Sequence, residues 1–352
     1  SKRISKLQKG IDDTFEVKSQ ELLKNKKKLS FSSNPKSLED CNFYILTVPT
    51  PIYKNKKPDL SFLKKATSLV GEYLNKGDYV IYESTVYPGV TEDFCLPILE
   101  KISKLKVNKD FYIGYSPERI NPGDKKIKLK DIVKIVSASN EYSLKNIKKI
   151  YNSVIEAGIY KAKSIKVAEA AKVIENTQRD INIALMNDLS SLFQILGLKT
   201  KDVLDAAKTK WNFIPFEPGF VGGHCIGVDP YYLTHLAKEI GHNPNFILSG
   251  RKINDNKIIK ETKSFLNSLK KNRNPESKNL EILIMGATFK ENCPDVRNSK
   301  IIDAYDYLKK KGASVEVFDP IADKKLLKKM YGIDLLTSLP KKTFSGVMIL
   351  VS

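Results

Sequence analysis

The chain has few cysteines, and their arrangement matches no metal-binding or disulfide pattern. Four occur in 352 residues, far apart and with no CxxC pair. This spacing argues against a zinc site and against a disulfide framework, so no metal is expected. Each thiol is therefore judged by its own surroundings. The four are Cys41, Cys95, Cys225 and Cys293.

Long apolar runs are also missing. No stretch of about 18 uninterrupted apolar residues occurs, and no charged-then-apolar leader is recognisable. We therefore expect a cytoplasmic protein without a membrane partner. With 41% hydrophobic residues over 352 positions, the chain can bury two or three cores, which predicts a multidomain protein.

Arginine is scarce in spite of a strongly basic balance. The formal net charge is +20, but only 6 of the 60 basic residues are arginine, and the lysines are scattered along the whole chain. Nucleic-acid-binding proteins usually concentrate arginine and aromatic residues on one face. We expect no nucleic-acid partner, and we interpret the lysines as compositional bias that also favours an anionic, phosphate-bearing substrate.

In the first third, short β-branched or aromatic runs alternate with helical stretches, which predicts a parallel α/β unit. From residue 164 to 196, apolar residues recur at steps of three, four and seven, which predicts one long helix ended by Gly197. The predicted strands of the first unit are 42–49, 79–85, 111–116 and 132–137, and its helices are 60–74 and 92–102.

Three shorter helices and a second α/β unit are predicted after the long helix. The polar stretch 270–279 is predicted to be a linker, and strands alternate with helices beyond it. The predicted helices are 200–207, 230–240, 246–269, 300–311 and 323–331, and the predicted strands are 281–285, 314–318 and 347–351.

No GxGxxG motif occurs in the chain. The first residues, SKRISKLQKGI, are typical of the helical approach to a later element, and the chain ends directly after a predicted strand. We therefore expect an N-terminal βαβ unit to be missing, and the last α/β unit to be truncated at its C-terminus.

The sharpest local signal is the stretch 216–233, FEPGFVGGHCIGVDPYYL. Its four glycines allow close backbone approach or positive φ, and they lead Cys225 towards a helix that Asp229 caps and Pro230 opens. A thiol in that position can be exposed and activated. The alternative is a small buried hydrophobe in a tight turn, the usual role of cysteine. For the other three cysteines the structural interpretation is favoured.

A second signal lies at the start of the long helix, in 169–180, EAAKVIENTQRD. Lys172, Asn176 and Arg179 recur at spacings of four and three, so they project from one side. A lysine and an amide stacked in this way can hold an oxyanion or a water molecule. The alternative, a solvated helix face, is favoured on this pattern alone.

Polar residues follow three of the predicted strands, in TVPTP (47–51), ESTV (83–86) and YSPERINPGD (115–124). Open α/β sheets bind ligands at the carboxyl ends of their strands. Glu118 is a candidate general base there. Turn formation by proline and glycine explains part of each stretch.

Six stretches in this order resemble the UDP-glucose/GDP-mannose dehydrogenase family over essentially the whole chain. They are TVPTP, ESTVYPG, YSPERINPGD, AKVIENTQRDINIALMN, GGHCIGVDPYYL and GATFKENCPDVRNS. The third and fifth are most similar to the branch that acts on UDP-N-acetylglucosamine or its galacto epimer (UDP-GlcNAc or UDP-GalNAc), and the UDP-N-acetylmannosamine branch is a near neighbour.

This resemblance implies an α/β protein with two Rossmann-like domains joined by a long central helix and a helical domain. The implied NAD-binding domain is 1–163, the helical dimerisation and catalytic domain is 164–269, and the UDP-sugar-binding domain is 270–352. The cofactor is NAD, and a homodimer forms through the central helix. Without the first βαβ unit, the fragment is expected to bind NAD weakly or not at all, and the complete protein is expected to bind it normally.

The implied reaction takes two hydrides from C6 of a UDP-N-acetylhexosamine, for surface polysaccharide or glycan synthesis. Cys225 forms a thiohemiacetal that is oxidised to a thioester and then hydrolysed. By the same resemblance, Lys172 and Asn176 stabilise the oxyanion, Asp229 orders water or shares a proton, and Glu118 and Thr85 assist water activation.

The resemblance also implies the binding residues, and Arg251 is implied to reach the substrate of a neighbouring subunit. Two rival functions stay open: a single-step dehydrogenase of the hydroxyacid type, and a non-catalytic nucleotide-sugar-binding protein. The implied NAD contacts are Val48, Pro49, Thr50, Ser84, Thr85, Glu118 and Lys290. The implied substrate contacts are Lys172, Phe216, Gly219, Gly222, Gly223, Arg251 and Lys290.

Overall fold

A computed structural model describes residues 2–14, 16–121, 126–271 and 280–351. The chain forms two compact units, one of residues 1–53 and 58–172 and the other of residues 54–57 and 173–352. Each unit carries one β-sheet with flanking helices, which confirms the predicted α/β class with two sheets. Within the described ranges, no helix is long and apolar enough to span a bilayer.

The first unit is built around a five-stranded sheet in the order β1-β2-β3-β4-β5. Its strands are β1 (Phe43–Leu46), β2 (Tyr79–Tyr82), β3 (Tyr112–Tyr115), β4 (Lys134–Ala138) and β5 (Ile159–Lys161). Its helices are α1 (Lys2–Gln8), α2 (Ser19–Lys24), α3 (Ser61–Tyr73), α4 (Leu96–Ser103) and α5 (Glu141–Asn152), and one π-helical turn, Val90–Cys95, precedes α4.

The centre of this sheet is apolar on both faces, as a strand covered by helices on each side should be. All four residues of β2 are buried. One face packs on a cluster that includes Leu63, Leu99 and Ile113, and the other face packs on Ile147 of α5. The polar residues Glu83, Ser84 and Thr85 therefore follow β2 at its end rather than lie within it.

The sheet departs from the parallel arrangement predicted for it. Strands β1, β2 and β3 are parallel, but β4 pairs with β3 in the antiparallel direction. Parallel strands need a crossover of about a dozen residues or more, usually helical. In the described part of the β3–β4 connection, the regular structure is a short 3₁₀ turn, Leu129–Asp131, so the chain returns directly beside β3.

The helix α6 (Ile165–Ile195) begins in the first unit and continues into the second. Gly197 follows it with a positive φ of 72°, as predicted for the residue that ends it. Next come α7 (Thr200–Ala207), α8 (Asp229–Glu239) and α9 (Asn245–Lys271). The predicted linker begins inside α9, and its residues 272–279 lie outside the described part of the chain.

The sheet of the second unit has the order β8-β7-β6-β9, and its pairings are all parallel. Leu266 of α9 and Leu308 of α10 belong to the core that packs on it. The strands are β6 (Glu281–Met285), β7 (Ser314–Phe318), β8 (Leu335–Leu336) and β9 (Gly346–Ile349), and the helices are α10 (Ile301–Lys310) and α11 (Lys324–Tyr331).

Candidate active site

Cys225 lies at the surface, on the glycine-rich loop directly before α8. Its carbonyl accepts hydrogen bonds from the backbone N–H groups of Val228, at 3.0 Å, and Asp229, at 2.9 Å. These bonds fold the chain into a turn that leads into the helix. The alternative of a buried small hydrophobe therefore does not hold for Cys225, and its nucleophilic role stays a prediction.

Cys95 contrasts with this exposed thiol. It is fully buried, and burial raises the pKa of its thiol to about 12. A buried thiol that stays protonated is inert. Cys41 and Cys293 are half-buried. Among the four cysteines, Cys225 is thus the exposed one.

Asp229 and Asn176 are brought together although they are far apart in the sequence. The side-chain N–H of Asn176, on α6, donates to Oδ2 of Asp229 at 2.6 Å, and both residues are buried. Helix α8 begins at Asp229 itself, with Val228 before it, so the prediction that Asp229 is the N-cap was wrong by one position. The loop that carries Cys225 is thereby attached to α6.

Gly222 and Gly223 lie against the segment that follows β6. A Cβ added to Gly223 would come within 2.7 Å of the Phe289 ring, and one added to Gly222 would come within 2.9 Å of the Asn298 carbonyl. Gly223 also has a φ of 77° and donates its N–H to the Asn298 carbonyl. Close backbone packing thus accounts for the glycine pair.

The neighbouring His224 belongs to the same contact. Its Nε2 lies 3.5 Å from Oδ2 of Asp295, and Arg297 donates from Nε to Oδ1 and from Nη2 to Oδ2 of the same carboxylate. Burial alone would raise the pKa of Asp295, but the hydrogen bonds from His224 and Arg297 hold it well below its usual range. Asp295 is therefore ionised, and it anchors the residue next to Cys225.

Gly219 lies at the other end of the loop and is held by Asn187 of α6. The Asn187 side chain accepts from the Gly219 N–H at 3.0 Å and donates to its carbonyl at 2.9 Å. Phe216, three residues earlier, is half-buried, and its N–H bonds to the Ile214 carbonyl. Asn187 was missed by sequence reasoning, although it lies eleven residues, or about three helical turns, after Asn176 on the same predicted helix.

In the first unit, the three polar strand ends meet at one edge of the sheet because β1, β2 and β3 are parallel. The Ser84 hydroxyl donates to the Val48 carbonyl at 2.7 Å, and the Thr50 hydroxyl donates to the Thr85 carbonyl at 2.7 Å. Pro49 is exposed beside them. The structure thus brings together the five predicted contacts that follow β1 and β2.

Glu118 follows β3 at the same edge and is half-buried. Its Oε1 accepts from the backbone N–H groups of Arg119, at 2.6 Å, and Ile120, at 2.5 Å. A carboxylate at the carboxyl end of a parallel sheet, with hydroxyl and backbone groups beside it, suits a dinucleotide-binding edge. These strand ends therefore lie where open α/β sheets bind a nicotinamide dinucleotide.

The two predicted lysines lie in different units. Lys172 is buried on α6, one helical turn before Asn176, and belongs to the first unit. Lys290 lies in the second unit after β6, where its ammonium is 5.7 Å from the centroid of the Phe289 ring and its carbonyl accepts from the Thr288 hydroxyl. Lys290 therefore occupies the strand-end position at which sheets of this kind bind phosphates.

Arg251 lies buried within the helical segment. It is 2% exposed, and its guanidinium pairs at 2.5 Å with Asp180 and, at the same distance, with Asp255. The ring of Tyr231 lies 5.5 Å from it. Two carboxylates and a tyrosine surround this charge inside the helical segment, and its contact with the substrate of a neighbouring subunit stays a prediction.

Glu169, at the start of α6, is a further buried group that sequence reasoning missed. Its carboxylate accepts from the N–H of Gly89 at 2.6 Å and from the N–H of Thr91 at 2.9 Å. Burial raises its pKa to about 7 in spite of these bonds. The carboxylate thus holds the turn before α4 and is half-protonated near neutral pH.

The family is decided by sequence profiles that match in order along the chain. Those of the UDP-glucose/GDP-mannose dehydrogenase family match the NAD binding domain at residues 1–155, the central domain at 166–256 and the UDP binding domain at 283–352. The chain belongs to this family. It is an NAD-dependent UDP-sugar dehydrogenase with a Rossmann-like fold.

Similar proteins extend this finding. The UDP-N-acetyl-D-glucosamine 6-dehydrogenase of Salmonella typhi is 50% identical over 351 residues, which are 99% of this chain and 82% of the relative. The Pseudomonas aeruginosa protein of the same name is 50% identical over 350 residues, with the same coverage. The structure of a UDP-D-ManNAc dehydrogenase from Pyrococcus horikoshii has a TM-score of 0.85 at 28% identity, covering 100% of this chain and 81% of that one.

Proposed function

We propose that this enzyme oxidises the C6 hydroxymethyl of UDP-N-acetylglucosamine, or of its galacto epimer, to a carboxylate with Cys225 as covalent nucleophile. The observation that carries the proposal is the exposed thiol on a loop fixed from both sides. Asp229 and Asn176 hold it towards α6, and Gly223 holds it towards the UDP-binding domain. The 50% identity to enzymes named for UDP-N-acetyl-D-glucosamine supports the substrate.

NAD held at the strand ends that carry Ser84, Thr85 and Glu118 would accept one hydride from C6, and a second NAD molecule, bound in turn, would accept the hydride of the second oxidation. The thiol explains how a second hydride can leave C6. The aldehyde formed first has no oxyanion on C6 to drive out a hydride. Addition of the Cys225 sulfur makes C6 tetrahedral, with both a hydrogen and an oxyanion. Lys172 and Asn176 are proposed to stabilise the charge on that oxygen. Water then hydrolyses the thioester.

The hydrolytic step needs a group that orders and deprotonates water. Asp229 is the first candidate, because its buried carboxylate lies in the turn that starts at Cys225. Glu118 and Thr85 are the second candidates, at the edge of the first sheet. Lys290, Phe216 and the glycines of the loop are proposed to hold the nucleotide sugar.

We propose the same three-part division that the sequence suggests, with NAD bound by 1–163, the catalytic and dimerisation segment at 164–269 and the nucleotide sugar bound by 270–352. A dimer through α6 is supported by an apolar face that this helix exposes in the single chain. Its exposed members recur at steps of eleven, seven and three: Ile174, Leu185, Leu192 and Ile195.

Stoichiometry tests the proposal in the full-length enzyme. We expect two NADH per UDP-N-acetylglucosamine consumed. We also expect Cys225→Ser to make no carboxylate, while Cys41→Ser, in the other unit, retains the wild-type rate. One NADH per sugar, together with an active Cys225→Ser, would instead indicate single-step oxidation. A panel of UDP-N-acetylglucosamine, UDP-N-acetylgalactosamine and UDP-N-acetylmannosamine identifies the substrate. A preference for UDP-N-acetylmannosamine would refute the proposed substrate.

A further inference from the structure

A buried ammonium group lies at the carboxyl edge of the first sheet, apart from the residues assigned above. Nζ of Lys134 is 3.2 Å from Oε1 of Glu83, and the two side chains are 4% and 12% exposed. The same ammonium donates to the Pro117 carbonyl at 3.1 Å. A buried ion pair contributes little net stability compared with apolar residues of the same volume. Stability alone therefore does not account for this pair.

The direction of β4 explains how a lysine reaches this edge. Because β4 runs antiparallel to β3, Lys134, its first residue, lies where β1, β2 and β3 end. A parallel strand would have put its last residue there. The ammonium consequently lies between the segment after β2, which begins at Glu83, and the segment after β3, which begins at Ser116.

The segment after β3 is tied to β4 by three contacts in successive positions. The Ser116 hydroxyl donates to the Ile135 carbonyl at 2.7 Å, and Nη1 of Arg119 donates to the Val133 carbonyl at 2.8 Å. The contact of Lys134 with Pro117 lies between these two. It differs from them because the same group also bonds to the segment after β2.

The Glu83 end of the pair is equally constrained. The Tyr151 hydroxyl donates to Oε1 of Glu83 at 2.5 Å, and burial together with the charge of Glu83 raises the pKa of Tyr151, so it remains a donor. The ring of Tyr151 also faces the Lys134 ammonium at 5.3 Å. The next residue, Ser84, bonds to Val48. One chain of contacts thus runs across all three strand ends.

We propose that Lys134 is a positioning residue, whose ammonium joins Glu83 to the Pro117 carbonyl and so fixes the segment carrying Thr85 relative to the segment carrying Glu118. This inference rests on the proposed function, in which these segments contact NAD and activate water. A displacement of about 1 Å between reacting groups can cost up to about a hundredfold in rate. Loss of the ammonium should therefore lower kcat markedly while the melting temperature changes little.

The test compares Lys134→Met, Lys134→Arg and Tyr151→Phe in the full-length enzyme. Lys134→Met removes the charge and both contacts, and we expect kcat to fall about tenfold or more while KM for the UDP-sugar stays within about twofold. Lys134→Arg keeps the charge and should restore kcat to within about threefold. Tyr151→Phe removes one bond to Glu83 but leaves the ammonium contacts, so kcat should stay within about twofold of wild type.

A purely structural role predicts a different pattern. In that case all three variants would lose thermal stability. Below their melting temperatures, kcat would either be unchanged or fall equally in Lys134→Met and Tyr151→Phe. Each of these two kcat results would overturn the proposal. If Lys134→Met does not fold, Glu83→Gln/Lys134→Gln replaces the pair without leaving a lone buried charge, and the same fall in kcat is expected.

The same assay separates this inference from the function on which it rests. If Cys225→Ser makes no carboxylate while Lys134→Met keeps the wild-type kcat, the positioning role fails and the proposed reaction stands. If Cys225→Ser keeps making carboxylate, the proposed reaction fails, and the loss of kcat in Lys134→Met still decides the role of the lysine.

Discussion

Replacing Gly223 by alanine should loosen the loop that carries Cys225. Gly223 has a φ of 77°, and an added Cβ would lie 2.7 and 2.8 Å from two carbons of the Phe289 ring. The left-handed backbone costs a non-glycine residue about 1–2 kcal/mol. Displacing a packed ring costs about 1–3 kcal/mol more. We therefore expect a total loss of about 3 kcal/mol.

Two other glycines serve as matched controls in the same unit. Gly197 has a φ of 72°, but an added Cβ meets no atom of the described chain within 4 Å, so Gly197→Ala should cost only the backbone term of about 1 kcal/mol. Gly219→Ala introduces neither the strained φ nor a close contact with the described residues and should change stability little. The difference of about 2 kcal/mol between Gly223→Ala and Gly197→Ala measures the contact with Phe289.

A double-mutant cycle and calorimetry check this division. For a unit of this size, about 1 kcal/mol shifts the midpoint of thermal unfolding by roughly 2–4 °C, so Gly223→Ala should lower it by roughly 6–12 °C. In a Phe289→Ala background, the cost of Gly223→Ala should fall to that of Gly197→Ala. The rate of Cys225 alkylation should change in Gly223→Ala and not in Gly197→Ala. Equal costs for the two alanine variants, or no relief from Phe289→Ala, would refute the reasoning.

Three further outcomes follow from buried charges and from the exposed helix face. Because burial raises the pKa of Glu169 from 4.5 to about 7, its destabilising effect is absent below pH 4.5, grows as the pH rises and is complete above pH 7. The stability of Glu169→Gln relative to wild type should thus rise by about 3 kcal/mol over this range, and melting curves that shift in parallel would contradict this. Arg251→Met leaves Asp180 as an unpaired buried charge and should cost about 3–5 kcal/mol in denaturant unfolding, whereas Lys201→Met, from an exposed pair, should have little effect. The proposed dimer through α6 predicts that Ile195→Lys shifts the full-length enzyme towards monomer in sedimentation, and an unchanged mass would show that this face is not an interface.

Local patterns in the sequence predicted most of the secondary structure because they reflect burial within one element. The run YVIY is buried at every position, as an internal strand should be. Helix α5 was not predicted, although Leu144, Ile147 and Tyr151 recur at helical spacing and Asn140 caps it. The predicted direction of β4 was wrong. A strand's direction depends on the length and path of the connection before it, and the spacing of apolar residues does not indicate either.

The candidate site was predictable where one motif contains all the chemistry and not where partners come from distant segments. Exposure of Cys225 follows from the glycines around it, and the meeting of the polar strand ends follows from parallel pairing. The partners of Glu169 and Lys134 lie 80 and 51 residues away, at Gly89 and Glu83. The residues around a buried charged side chain can look the same as those around an exposed one. The spacing of apolar residues therefore predicts a surface position for both.

Helix α6 fixes the distance between the two ends of the loop that carries Cys225. Asn187 bonds to both backbone groups of Gly219, and Asn176 bonds to the carboxylate of Asp229. The two asparagines are eleven residues apart, about three turns and roughly 16 Å along the axis. The eleven residues from Gly219 to Asp229 span ten steps and could extend to about 33 Å. The loop therefore crosses this distance with slack, and the slack is taken up by the turns that raise Cys225 to the surface beside Asp229.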